Sequence, residues 1–176
     1  MKFNLTKMNP IATHQPVLFE AVRQTTGPIL ELGAGDSSTR QLHDMTDRYI
    51  LTIDDQMPWI EPYRDLVSER HNIMFLPTTQ SALYYRMMRQ DWGLVFIDSS
   101  TWDMRLAAII AFKDVPMVVI HDGSYGRENG VVFGKYFKCW AEYQRVGIDI
   151  PTTIIASNTV DVRDIKITGT VKIAQS

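Results

Sequence analysis

The sequence predicts an α/β fold: a doubly wound, seven-stranded sheet, mostly parallel, with a C-terminal antiparallel hairpin and helices on both faces. Three observations carry this reading. Short apolar runs recur at residues 28–32, 49–53, 73–76, 93–97 and 116–120. They are apolar throughout rather than alternating, as parallel strands covered on both faces require. Helix-length stretches separate them, and strand–helix alternation implies right-handed crossovers.

Residues 15–25 read as a helix, with Val17, Leu18, Ala21 and Val22 on one face. The first strand, 28–32, runs into Gly33-Ala34-Gly35, and a helix is expected over 38–45 with Ser37 or Ser38 as N-cap. The second strand ends at Asp54-Asp55 and precedes a polar helix over 58–69. The third strand leads to a helix over 80–90, where Tyr84, Tyr85, Met87 and Met88 supply helix-face packing. The fourth ends at Asp98 and is followed by a helix over 103–112; the fifth ends at His121-Asp122.

The last third changes character. Residues 131–146 read as a longer helix, in which Cys139 is a packing residue beside Trp140. Residues 152–156 and 162–167 read as strands, and the gap between them is too short for a crossover helix, so they form an antiparallel hairpin.

Composition narrows the function classes. A chain of 176 residues suits one domain spanning 1–176. With 45% hydrophobic and 22% charged residues it is not a disordered chain. A net charge of −2 gives no electrostatic reason for a nucleic-acid partner. The lone Cys139 excludes an internal disulfide and a thiolate zinc cluster. No apolar run has signal-peptide or membrane-span length. A soluble, cytoplasmic protein is expected.

The chemistry sits where strands end. A strand that turns sharply into a helix beside a ligand needs glycine, both for its φ freedom and for its missing side chain. Gly33 and Gly35 supply this, and the helix behind them offers free N–H groups to an anion. A carboxylate about 20 residues further on can hold ribose hydroxyls. Asp54 stands 21 residues after Gly33, with Asp55 as the alternative. The third glycine of a dinucleotide loop is absent, because Asp36, Ser37 and Ser38 follow Gly35. The plainer readings are a tight turn for the glycines and a helix cap for the aspartate.

This element order, with the segment Ile29-Leu30-Glu31-Leu32-Gly33-Ala34-Gly35-Asp36-Ser37-Ser38, resembles the class I S-adenosylmethionine-dependent methyltransferases, a Rossmann-like family, over residues 14–168. The resemblance implies a cofactor site formed by Glu31, Gly33, Ala34, Gly35, Ser38, Asp54 or Asp55, and Asp98. Glu31 would face the methionine end of the cofactor. The segment Thr13-His14-Gln15-Pro16 also looks like a feature of small bacterial and phage methyltransferase-like proteins.

Asp98 and Asp122 end neighbouring strands and could hold Mg²⁺ through hard oxygen ligands. That looks like the catechol O-methyltransferase arrangement, in which the metal holds the acceptor oxygen. Here Gly123 stands where that family carries an Asn, so the third ligand is missing. His121, beside Asp98 and Asp122, is a candidate base for an acceptor proton. His14 reads as a cap or surface group. The loop 122–130, with three glycines, could close as a lid, or a homodimer partner could do so.

The acceptor is expected to be a small molecule with an oxygen or nitrogen nucleophile. Strand four lacks the Asn/Asp-Pro-Pro-aromatic signature of amino-methylating nucleic-acid enzymes, and no Pro-Cys pair is present for cytosine C5 chemistry. The competing readings are a non-catalytic methyltransferase-like binding module and an enzyme that cleaves the cofactor.

Overall fold

The computed structural model describes residues 12–88 and 91–176. Helix α1 (Gln15–Gln24) leads into β1 (Ile29–Leu32), α2 (Thr39–Met45) and β2 (Ile50–Asp54). A single-turn α3 (Met57–Ile60) continues as a 3-10 helix (Glu61–Leu66) before β3 (His71–Phe75) and α4 (Thr78–Met87). Then come β4 (Leu94–Ile97), α5 (Trp102–Phe112), β5 (Val118–His121) and α6 (Gly123–Glu128). A 3-10 turn (Phe133–Lys135) precedes β6 (Cys139–Arg145), β7 (Thr153–Ser157) and β8 (Thr170–Gln175).

The strands form one sheet in the order β3-β2-β1-β4-β5-β7-β6-β8. From β3 to β5 all pairs are parallel, and β7 enters antiparallel between β5 and β6. The chain winds outward in opposite directions from β1 and β4. That reversal opens a crevice at their carboxyl ends, the place where α/β sheets bind ligands.

Two cores cover the two faces. Val17, Leu18, Ala21 and Val22 of α1 and Leu42 of α2 pack on Ile29, Ile50, Phe96 and Val119. On the other face, Tyr85 of α4 and Ala108, Ile109 and Phe112 of α5 pack on Leu30, Ile53, Val95 and Ile120. Every residue of β1, β2, β4 and β5 is buried, so each strand is covered on both faces and is apolar but for Glu31, Thr52, Asp54 and His121. Each fully buried Leu, Ile or Phe stabilises the fold by about 1.5–3 kcal/mol.

The first five βα units follow the sequence reading, but the last third does not. The expected helix over 131–146 is a 3-10 turn and then strand β6. Its Ala141 and Tyr143 point into the α1 core, while Trp140 packs on the other face, a period of two rather than 3.6. The expected strand over 162–167 is irregular chain whose Val162 and Ile167 pack against the α1 core. The hairpin is β6–β7, and β8 adds an eighth strand beside β6, where seven were expected. The expected lid over 122–130 is largely helix α6, and its Gly123 and Gly126 serve packing, while Gly130 serves a turn at φ +79°. A Cβ on Gly126 would stand 2.5 Å from Trp102, and one on Gly123 would stand 2.7 Å from Ile154.

Candidate functional site

The crevice is built first by the turn after β1. Gly33 adopts φ +101°, and a Cβ there would lie 2.3 Å from the Asp98 carbonyl oxygen. Its glycine is therefore required by the close approach of the end of β4. Gly35 differs: it has no positive φ, and a Cβ there would meet only Ser38 Oγ, at 3.9 Å. Among the described residues nothing demands that glycine, so the space above it is open to a ligand.

The turn is held from both sides. Ala34 N–H donates to Asp54 Oδ2 at 2.8 Å, and Gln56 N–H donates to Asp54 Oδ1 at 2.7 Å. Gly35 N–H donates to Thr39 Oγ1 at 2.9 Å. Asp36 accepts from the Tyr63 hydroxyl, a partner the sequence reading missed. Ser38 occupies the N-cap position of α2 but makes no capping bond through its side chain. Burial raises the Asp54 pKa, and the N–H groups of Ala34 and Gln56 oppose the shift. Each Asp54 oxygen keeps a further lone pair for a ribose hydroxyl. Asp55 turns toward β3 and β4, accepting from the Thr78 hydroxyl and from Ser100 Oγ at 3.1 Å.

Glu31 is fully buried beneath this turn. Its Oε2 accepts from Thr52 Oγ1 at 2.7 Å, and its Oε1 has no partner. Burial pushes its pKa up to about 7, against the hydroxyls of Ser38, Thr52 and Thr39.

A second constellation joins the ends of β4 and β5 to the start of α1. His121 Nδ1 lies 3.1 Å from Asp98 Oδ1, and His121 Nε2 lies 2.9 Å from Thr13 Oγ1. His14, expected as a cap or surface group, stands at the N-cap position of α1 without a side-chain capping bond and is buried, with its ring 4.6 Å from that of His121. Burial, with the His121 charge in the same sense, lowers the His14 pKa to about 3. Burial alone would raise Asp98, but the His121 hydrogen bond and the charges of His121, Arg105 and His14 hold it below the ordinary carboxylate range. Asp122 sits in the left-handed region at φ 60°, the sort of backbone strain that collects at functional sites.

Arg105 was not singled out in the sequence, although it is the one cation among the apolar residues of α5. It donates from Nη2 to Asp98 Oδ1 at 3.0 Å and from Nη1 to Asp122 Oδ2 at 2.8 Å. The expected Asp98–Asp122 metal pair thus has a guanidinium between its carboxylates, and Mg²⁺ does not fit there. His14, Asp98 and His121 also bring ligand-type atoms within 4.8 Å of one another. Asp98 Oδ1 is already shared by Arg105 and His121, so that group too is a neutralised ion-pair network.

Two surface cavities lie away from this edge. One of about 460 Å³ is lined by Lys113, Tyr136 and Asn158, and one of about 350 Å³ by Tyr49, Tyr84 and Trp92. Among the described residues no helix is long and apolar enough to cross a membrane.

No protein-family model and no curated protein matches this sequence. Solved structures do match its fold. Cofactor-bound Rv0187 from MTB superimposes with a TM-score of 0.62 at 15% identity, covering 90% of this chain and 84% of that one. An O-methyltransferase from Bacillus cereus in complex with SAH gives 0.59 at 14% identity, over 87% and 83% of the two chains. An rRNA methylase from Streptococcus thermophilus gives 0.55 at 12% identity, over 89% and 100%. The fold of this chain is the one these three structures share.

Proposed function

We propose that the chain binds S-adenosylmethionine at the Gly33–Ser38 turn and transfers its methyl group to a small-molecule oxygen or nitrogen acceptor. The observation that carries this reading is Gly35, whose missing side chain answers to no close contact among the described residues. It stands beside Asp54, on a fold shared with a methyltransferase solved with SAH. Gly35, Ala34 and Ser38 would line the cofactor, Asp54 would hold the ribose with Asp55 behind it, and Asp98 would face the reacting end. Glu31 would act from beneath, since it is fully buried.

The bound cofactor would supply a methyl carbon on a sulfonium sulfur, displaced by the acceptor's lone pair to leave S-adenosylhomocysteine. The chain's own task is alignment at about 3–3.5 Å and acceptance of a proton. Asp98, held ionised, accepts from His121 Nδ1–H, which leaves Nε2 to act as the base. The Thr13 hydroxyl bonded to Nε2 marks where an acceptor hydroxyl would lie. Arg105 keeps Asp98 and Asp122 in place.

A second reading rests on burial. Thr13, His14 and His121 are all at most 5% exposed, and their cluster is largely satisfied internally. That favours a module that binds the cofactor without turnover. Calorimetric titration with S-adenosylmethionine and S-adenosylhomocysteine tests the first step. Binding by the wild-type chain, lost in Gly35→Val and Asp54→Ala, is expected; a folded wild type that binds neither would sink the assignment. Methyl transfer from labelled cofactor to an acceptor library, lost in His121→Phe, separates the enzyme from the module.

A further inference from the structure

Beneath the glycine turn runs a chain of polar contacts that the proposed function does not use. Arg70 Nη2 lies 2.9 Å from His43 Nε2, and His43 Nδ1 lies 3.0 Å from His71 Nδ1. His71 Nε2 lies 2.9 Å from Thr52 Oγ1, and Thr52 Oγ1 lies 2.7 Å from Glu31 Oε2. The chain crosses α2, β3, β2 and β1 and ends on a carboxyl with no exposure.

The donor inventory of these groups permits one direction only. A guanidinium can only donate, so His43 Nε2 must be the bare nitrogen and His43 Nδ1 must carry the proton. His71 Nδ1 must then accept, which puts its proton on Nε2. Thr52 Oγ1 accepts that proton's bond and spends its own hydrogen on Glu31 Oε2. In the reverse direction, His43 Nε2–H would face an Arg70 N–H, donor against donor. Arg70 cannot turn away cheaply, because its Nη1 also donates to the His43 and Thr46 carbonyls at the end of α2, at 3.0 and 2.9 Å. Burial lowers the His71 pKa to about 4, with the charges of His43 and Arg70 acting in the same sense, so His71 is neutral as the scheme needs.

We propose that Arg70, His43, His71 and Thr52 form a one-way donor relay that holds Glu31 Oε2 as an acceptor and so fixes the carboxyl in one orientation beneath the turn that a ligand would occupy. Any proton on Glu31 is confined to Oε1. The four residues are positioning residues: they touch no ligand and act through Glu31. The inference rests on the cofactor reading above.

The relay makes a prediction independent of any ligand. Long-range nitrogen–proton correlation spectra of the histidine rings at neutral pH should show His43 protonated on Nδ1 alone and His71 on Nε2 alone. The opposite tautomer at either ring overturns the proposal. Arg70→Met frees the direction, and Thr52→Val cuts the last link without changing side-chain size. In both variants S-adenosylhomocysteine affinity should fall about tenfold, the scale of one lost bond to a charged group. In Arg70→Met the Glu31 carboxyl carbon should shift toward its protonated position. Wild-type affinity in both folded variants overturns the proposal and leaves the cofactor reading intact. A wild type that binds no ligand overturns the cofactor reading, and with it the relay's role in binding, while the ring tautomers still record its direction.

Discussion

At the scale of single residues, the two glycines of the turn are chemically identical and physically opposite. Gly33 is needed for φ +101° and for a 2.3 Å approach to the Asp98 backbone, so Gly33→Ala must push β1 and β4 apart. A loss of about 2 kcal/mol or more is expected, readable as a lower urea midpoint. Gly35→Ala meets no such neighbour and should leave that midpoint within about 0.5 kcal/mol of wild type. If the two variants unfold alike, the distinction between a packing glycine and a ligand-facing glycine is wrong. The sequence motif named both positions, because the need for glycine is local. It could not divide their roles, because the atom that excludes a Cβ at Gly33 belongs to Asp98, just past β4 and 65 residues away.

At the scale of elements, the contrast lies between the βα units and the closing segment. The parallel strands were legible because burial on both faces leaves mostly apolar residues, whatever the details of packing. Strand β6 was read as helix because Ala, Glu, Gln and Arg favour helices locally, and only pairing with β7 and β8 overrides that preference. Its Glu142 is fully buried and held by Arg127 of α6 and by Thr152 Oγ1 at 2.5 Å. Removing the guanidinium leaves a buried carboxylate with one partner, so Arg127→Met should cost about 3 kcal/mol. The exposed Arg40–Asp65 pair is a control, because Arg40→Met should cost less than about 1 kcal/mol. Chemical denaturation of both variants checks the ranking, and equal costs would show that α6 is not pinned to β6 in this way.

At the scale of the whole molecule, buried titratable groups set the response to pH. His14 and His71 have folded pKa values near 3 and 4 against 6.5 for a free histidine. Below pH 6.5 the unfolded chain takes up two protons that the folded chain refuses, which weakens the fold. Glu31 works the other way, holding a proton up to about 7 when folded and only to 4.5 when free. Between these limits the unfolded state keeps a net excess of one proton, so stability falls on acidification. The slope is roughly 1 kcal/mol per pH unit. Urea midpoints at pH 7, 6 and 5 should therefore decrease in that order, and Glu31→Gln should steepen the fall by removing the opposing group. A midpoint that rises toward pH 5 would contradict the buried, neutral histidines.

The sequence by itself determined the α/β class, the order of the first five strands, the glycine turn and the carboxylates at strand ends. Each of these follows from residue type and spacing within one unit. Only the tertiary structure decided which groups meet. It set a guanidinium from α5 between Asp98 and Asp122, and it buried His14 against His121. It also linked Glu31 to Arg70 through two histidines that had no assigned role. These contacts join residues brought together by sheet order and strand register. Neither quantity is local, so no pattern along the chain records them.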